Sequence, residues 1–211
     1  RDRSTAVIDP FGAGFEEDRL VGIENILSGS GDDVITGDDQ DNVIDGGAGN
    51  DRIEGRAGND TLIGGAGVDT VDYSTGTSGV NVDLAADTAI DDGYGDTDTI
   101  TGVENISGSN FDDIILGDAL NNTIDGAGGD DRLAGGAGTD VLDGGLGSDT
   151  ADYDAATSGV TVDLALGAAT DDGQGGTDTL LNMENIRGSD FVDNLSGDAA
   201  ANIFFASDAS D

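Results

Sequence analysis

Carboxylates supply most of the chemistry this sequence offers, and they return on a strict beat. With Gly46 as position one of a nine-residue repeat, position six holds Asp33, Asn42, Asp51, Asp60 and Asp69 in a first run. It holds Asp113, Asn122, Asp131, Asp140 and Asp149 in a second run, and Asp193, Asn202 and Asp211 in a third. Glycines precede them: Gly46, Gly47 and Gly49, then Gly64, Gly65 and Gly67 in the first run. In the second run they are Gly126, Gly135, Gly136, Gly138, Gly144, Gly145 and Gly147. A carboxylate beside backbone carbonyls that glycine leaves free to turn is the donor set of a hard cation. Calcium takes six to eight such oxygens at about 2.3–2.6 Å.

Other chemistry has little material. Magnesium fits less well, because it demands a small octahedral shell and keeps its water. The chain has neither His nor Cys, which nearly excludes zinc. With no His, Cys or Lys, no Ser-His or Cys-His pair and no Schiff base can be assembled. Paired carboxylates cleave glycosides in other proteins, but here every acid has repeat copies, a property of ligands rather than of unique catalytic groups. No catalytic constellation is therefore expected in this chain.

Charge narrows the partners. Asp and Glu number 45 against 7 Arg, for a formal net charge of −38, which disfavours nucleic acid and anionic membrane as partners. Self-repulsion on that scale opposes compaction, so a counter-charge belongs to any folded form. The alternative is a disordered acidic calcium buffer without a cooperative fold. No apolar run approaches the ~18 residues that span a bilayer, and the start RDRSTAVIDP lacks the layout of a signal peptide.

The elements that must position these acids follow from the rest of the repeat. Six residues rich in Gly and Asp favour a turn, and the next three, such as RIE or TLI, favour a short strand. Position eight, the middle of that strand, holds Ile35, Ile44, Ile53, Leu62 and Val71, then Ile115, Ile124, Leu133, Leu142 and Ala151. Alternation sends this aliphatic inward and its neighbours outward. Two nonapeptides then form one coil, and stacked coils give two parallel sheets, each coil adding about 4.8 Å to the rod. Loops 18 residues apart share an edge. The expected pairs are Asp33 with Asp51, Asp51 with Asp69, Asp113 with Asp131 and Asp131 with Asp149, with Asn42 facing Asp60 and Asn122 facing Asp140. A core one side chain thick scarcely offsets ~1–2 kcal/mol of backbone entropy per ordered residue, so the ions are expected to hold the turns.

A second period of 80 relates Asn25, Asn105 and Asn185, each in an E-N-I tripeptide, Tyr73 and Tyr153, and Phe111 and Phe191. It divides the chain into a partial spacer (1–24), unit 1 (25–104), unit 2 (105–184) and a partial unit 3 (185–211) of one solenoid array. Arg1 falls within a spacer and Asp211 on a loop, as expected of a piece of a longer array. Each spacer of roughly 35 residues is expected to protrude as a solvated loop, its aspartates in DDGYGDTD and DDGQGGTD included, with a calcium role for those aspartates as the alternative. Ile26, Ile106 and Ile186 are expected in the core, with the adjacent asparagines bonding a turn. The four aromatics are expected in core or coil-edge packing rather than in a sugar-binding stripe. The second loop of each unit (GDDQDN, GDALNN, GDAAAN) departs from the pattern, with Asn42, Asn122 or Asn202 at position six and Asp38, Asp118 or Asp198 at position two. Weaker binding is expected there, or calcium held by the substituted Asp.

The segments GGAGNDRIE, GGAGVDTVD, GGAGTDVLD and GGLGSDTAD resemble the consensus G-G-x-G-x-D-x-U-x, with U a large aliphatic, of the RTX (repeats-in-toxin) calcium-binding nonapeptide. The resemblance implies an all-β, right-handed parallel β-roll solenoid with calcium between stacked loops, bound by the position-six carboxylates and carbonyls of the Gly-rich positions. Stacked pairs, spacers and the third run together suggest roughly 6–10 calcium ions. It further implies export through a type I secretion apparatus of a Gram-negative bacterium to the outside or cell surface, where calcium folds the chain. Such a module folds, stabilises and spaces a larger protein. An adhesin, matrix or surface-layer component is favoured, with surface polysaccharide or self-association as contacts; the alternative is an accessory module of a secreted hydrolase or polysaccharide-modifying enzyme. Asp9-Pro10 is a bond type that some RTX proteins cleave autocatalytically, but it lacks the surrounding motif.

Overall fold

The computed structural model describes residues 24–205 together with the strand Thr5–Val7, and among these residues every regular element is a β-strand. Asp9-Pro10, Asp211 and most of the partial spacer lie outside the described residues.

Three-residue strands such as Val34–Thr36, Arg52–Glu54 and Thr70–Asp72 arise where an aliphatic stands between two residues that tolerate solvent. Their middle residues Ile35, Ile53 and Val71 are buried and the flanks are not, as pleating requires. Ile35 pairs with Ile53 and Ile53 with Val71, all in parallel register, so one coil takes 18 residues. The opposite sheet stacks Asn25–Ser30, Val43–Ala48 and Thr61–Ala66 in the same way, Ile44 against Leu62. The core is a single file of these aliphatics between the two sheets. This is the parallel β-roll that the repeat implies.

Glycine makes that stacking possible. Gly47 and Gly65 pair directly in neighbouring coils with φ of 89° and 109°, and a Cβ on Gly65 would collide with the carbonyl oxygen of Gly47.

The spacers differ from the expectation of protruding solvated loops. In unit 1 the strands Asn81–Asp83, Thr88–Asp91 and Asp98–Thr101 pair antiparallel and are built into the first sheet, between Thr61–Ala66 and Ile114–Leu116. In unit 2 Thr161–Asp163, Ala168–Asp171 and Asp178–Leu181 do the same in the second sheet. The reason is apolar: Val80, Val82, Ala89 and Ile100, and later Val160, Val162, Ala169 and Leu180, alternate in the spacers and extend the core file.

The same topology explains the 80-residue period. Ile44 lies in the first sheet and Ile124, 80 residues on, lies in the second. Each unit thus contains an odd number of half-coils, and equivalent spacers lie on alternate sheets of the rod.

Ile26, Ile106 and Ile186 are buried, and Tyr73 and Tyr153 are buried as well. Asn105 and Asn185 accept the N–H of Thr123 and Ile203 in the next coil. Phe111 and Phe191, by contrast, sit on loops at the coil edge and are 45% exposed.

Candidate metal centre

The position-six side chains form ladders along both edges of the roll. Asp51 Oδ1 accepts the N–H of Asp33 and Asp69 Oδ1 accepts that of Asp51, both at 2.8 Å. Asp131 and Asp149 receive the N–H groups of Asp113 and Asp131, again at 2.8 Å. On the alternate edges Asp60 receives Asn42 N–H and Asp140 receives Asn122 N–H. All the stacked pairs expected from the 18-residue spacing are therefore adjacent.

The second oxygen separates two kinds of loop. In Asp33, Asp51, Asp60, Asp69, Asp131, Asp140 and Asp149 it is buried without a hydrogen-bond partner. In each of these loops position two has positive φ: Gly29, Gly47, Arg56, Gly65, Ala127, Gly136 and Gly145. These loops are open. Where position two is Asp38, Ser109, Asp118, Ser189 or Asp198, its φ is not positive and its N–H caps the position-six side chain at 2.7–2.9 Å. These loops, at Asn42, Asp113, Asn122, Asp193 and Asn202, are closed. Asp113 has both oxygens engaged, Oδ1 by Val80 N–H and the Ser109 hydroxyl and Oδ2 by Ser109 N–H. Asp193 repeats this arrangement with Val160 and Ser189. The substituted Asp38 and Asp118 each turn an oxygen back on their own loop, accepting Gln40 and Leu120 N–H.

A buried carboxylate oxygen with no donor costs free energy and calls for a cation. Without one, burial pushes Asp51 and Asp149 up to about 6 and Asp60 and Asp131 up to about 7, with Asp69 and Asp140 also raised. The position-one glycines face the orphaned oxygens. A Cβ on Gly46 would lie 2.5 Å from Asp51 Oδ2 and 2.8 Å from the Gly64 carbonyl oxygen, so a carboxylate and a carbonyl of the next loop meet there. Gly64, Gly126, Gly135 and Gly144 are equivalent, each against the acid of its own loop. Position four, at Gly49, Gly67, Gly138 and Gly147, again has positive φ and lies hard against the preceding coil. Among the described residues no three carboxylates close on one point, so carbonyls must complete any shell. For calcium that donor set fits.

A family model described as RTX calcium-binding nonapeptide repeat (4 copies) matches residues 21–53, 45–78 and 116–151. Over these segments the chain consists of RTX calcium-binding nonapeptide repeats. No curated protein matches it. All seven open loops fall inside the matched segments. RTX repeats bind calcium, and these segments form a calcium-binding β-roll. No helix among the described residues is long and apolar enough to cross a membrane.

Between and beyond the matched RTX segments the ladder runs on through acids that the nine-residue count does not reach. Asp98 Oδ1 accepts Asp60 N–H at 2.9 Å and Glu104 Oε2 accepts Asp69 N–H at 2.8 Å. Asp178 and Glu184 do the same for Asp140 and Asp149. GYGDTDTIT, from Gly93, and GQGGTDTLL, from Gly173, lie outside the matched segments but keep part of the nonapeptide layout, with Asp at position six and a buried Ile100 or Leu180 at position eight. Their glycines are the signal in the sequence that could have found them, with the second glycine displaced by one place. Glu104 and Glu184 stand in shortened loops, where the longer side chain spans the gap.

Proposed function

We propose that this chain is a calcium-folded segment of a larger secreted or cell-surface protein, and that the open loops are its ion sites. The reading rests on one observation: seven buried oxygens of position-six aspartates have no donor, and all seven stand where position two has positive φ and does not cap them. Asp33, Asp51, Asp60, Asp69, Asp131, Asp140 and Asp149 supply charge, and the Gly-rich positions supply carbonyls. The closed loops at Asn42, Asn122, Asp113 and Asp193 act as structural turns between ion sites. One ion per orphaned oxygen gives about seven within the repeats.

Ions that bind only the folded form stabilise it by RT ln(1 + [L]/Kd) per site, so folding follows calcium. In the cytosol, where calcium is scarce, the chain stays extended and fit for a type I secretion apparatus; outside, the ions fold it. Equal units with spacers on alternate sheets suit a repeated surface element, an adhesin, matrix or surface-layer component. Further 80-residue units in the parent gene support that role, whereas a His-containing catalytic domain supports service to a secreted hydrolase.

The test is a far-UV circular dichroism titration with calcium after chelation, with size-exclusion chromatography in parallel and magnesium as the control. A cooperative gain of strand and compaction with calcium alone is expected. Full strand content in chelator would overturn the switch, and gradual binding without gain of strand would leave a disordered acidic buffer.

A further inference from the structure

Each spacer carries a buried aspartate that the nonapeptide pattern does not include. Asp92 and Asp172 directly follow the middle spacer strands, immediately before the segments that start at Gly93 and Gly173, and both are fully buried. Oδ1 of Asp92 accepts the N–H groups of Tyr94 and Asp96, at 2.8 and 3.0 Å. Oδ1 of Asp172 accepts those of Gln174, Gly175 and Gly176. Oδ2 has no partner in either residue.

The surroundings of this second oxygen are acidic in both copies. Asp60, itself with an orphaned oxygen, feels the charges of Asp98 and Asp92, and Asp140 feels that of Asp172. Oδ2 of Asp98 is occupied by the Tyr73 hydroxyl, and Oδ2 of Asp178 by that of Tyr153, both at 3.1 Å. At unit 2 the Gly138 carbonyl oxygen and Asp172 Oδ2 both face the space that a side chain on Gly176 would fill. A fully buried carboxylate oxygen without a donor, close to a second acid with an orphaned oxygen and repeated 80 residues apart, is not explained by hydrogen bonding, and in unit 2 a carbonyl oxygen stands beside it.

We infer that each spacer forms a calcium site of its own, in which Asp92 works with Asp60, and Asp172 with Asp140, and backbone carbonyls complete the shell. The ion joins spacer to nonapeptide loop instead of one nonapeptide loop to the next. It locks the antiparallel insert onto the coil at the place where the repeat is interrupted. The inference rests on the calcium reading of the repeats.

The test compares the full chain with the Asp92→Asn/Asp172→Asn variant. Asn keeps the Oδ1 acceptor for the turn and replaces only the orphaned oxygen. Bound calcium is counted by equilibrium dialysis with elemental analysis, and terbium emission is followed under tyrosine excitation, since Tyr73 and Tyr153 bond Asp98 and Asp178, which lie in the same spacers as Asp92 and Asp172. The variant is expected to lose about two ions per chain and most of the tyrosine-sensitised emission, while the remaining ions bind and strand forms. An unchanged ion count and unchanged emission would overturn the spacer sites alone. A wild-type chain that takes up no calcium would overturn the repeat reading beneath them. Should the double variant not fold, Asp92→Asn by itself is expected to lose one ion, and retention of all ions would refute the site.

Discussion

The N–H of Asp51 is bonded to Oδ1 of Asp69, one coil further on, while Oδ2 of Asp69 is buried without a partner. One carboxylate therefore stacks two coils through one oxygen and presents the other for an ion. Coil stacking and ion binding cannot be separated at such a residue, which makes cooperative folding the expected behaviour.

Substitutions at open and closed loops should differ in kind. Asp51→Asn keeps the Oδ1 acceptor of Asp33 N–H but removes the charge and the orphaned oxygen. A loss of one bound ion and at least a tenfold rise in the calcium midpoint, ~1.4 kcal/mol, is expected. Asp113→Asn disturbs only a capped turn, and the ion count should not change. Calorimetric titration of both variants checks the contrast.

Two glycines separate the cost of conformation from that of stacking. Gly95 has φ of 96° and open space around it, so Gly95→Ala should cost only the left-handed penalty, ~1–2 kcal/mol. Gly65→Ala incurs the same penalty and also forces its Cβ into the Gly47 carbonyl. It should raise the calcium midpoint of folding well beyond the shift of Gly95→Ala, as followed by circular dichroism.

Arg56 and Ala127 are non-glycine residues held at φ of 73° and 64°, at position two of open loops. The strain keeps the N–H away from Asp60 and Asp131. Glycine takes this conformation freely, so Arg56→Gly and Ala127→Gly should each stabilise the calcium-loaded fold by ~0.5–1 kcal/mol with no change in ion count. Thermal unfolding at saturating calcium measures it.

Acidity should substitute in part for calcium. Burial raises Asp60, Asp98, Asp131 and Asp178 from 3.8 to about 7 in the ion-free fold. The folded form then holds protons that the unfolded chain releases, so its stability is greatest below about pH 4 and falls as pH rises to about 7. In chelator, more strand is expected at pH 5 than at pH 8. Equal spectra at the two values would contradict it. With calcium present, protons compete for the same oxygens, and the apparent affinity should drop below about pH 7.

Much of the roll was legible in the sequence. The turn and the short strand are local, so the nine-residue beat by itself sets Ile35 on Ile53 and Asp51 on Asp69. The burial of Ile26, Tyr73 and their 80-residue copies also followed from position. The exposure of Phe111 and Phe191 is set by the loop edge, where a side chain in place of glycine has no coil to cover it.

What the tertiary structure decided depends on contacts between residues 35 or 38 apart, beyond the reach of a nine-residue count. Whether an aspartate is an open ligand or a closed cap turns on the backbone of position two, and Arg56 and Ala127 give no sign in the sequence that they adopt positive φ. The continuation of the ladder through Asp98 and Glu104, and the burial of Asp92, required the spacer to fold back into the sheet. The sequence by itself determined the period, the core file and the kind of ion. The fold decided which carboxylate oxygens are left without a donor, because only the packed coil takes water away from them.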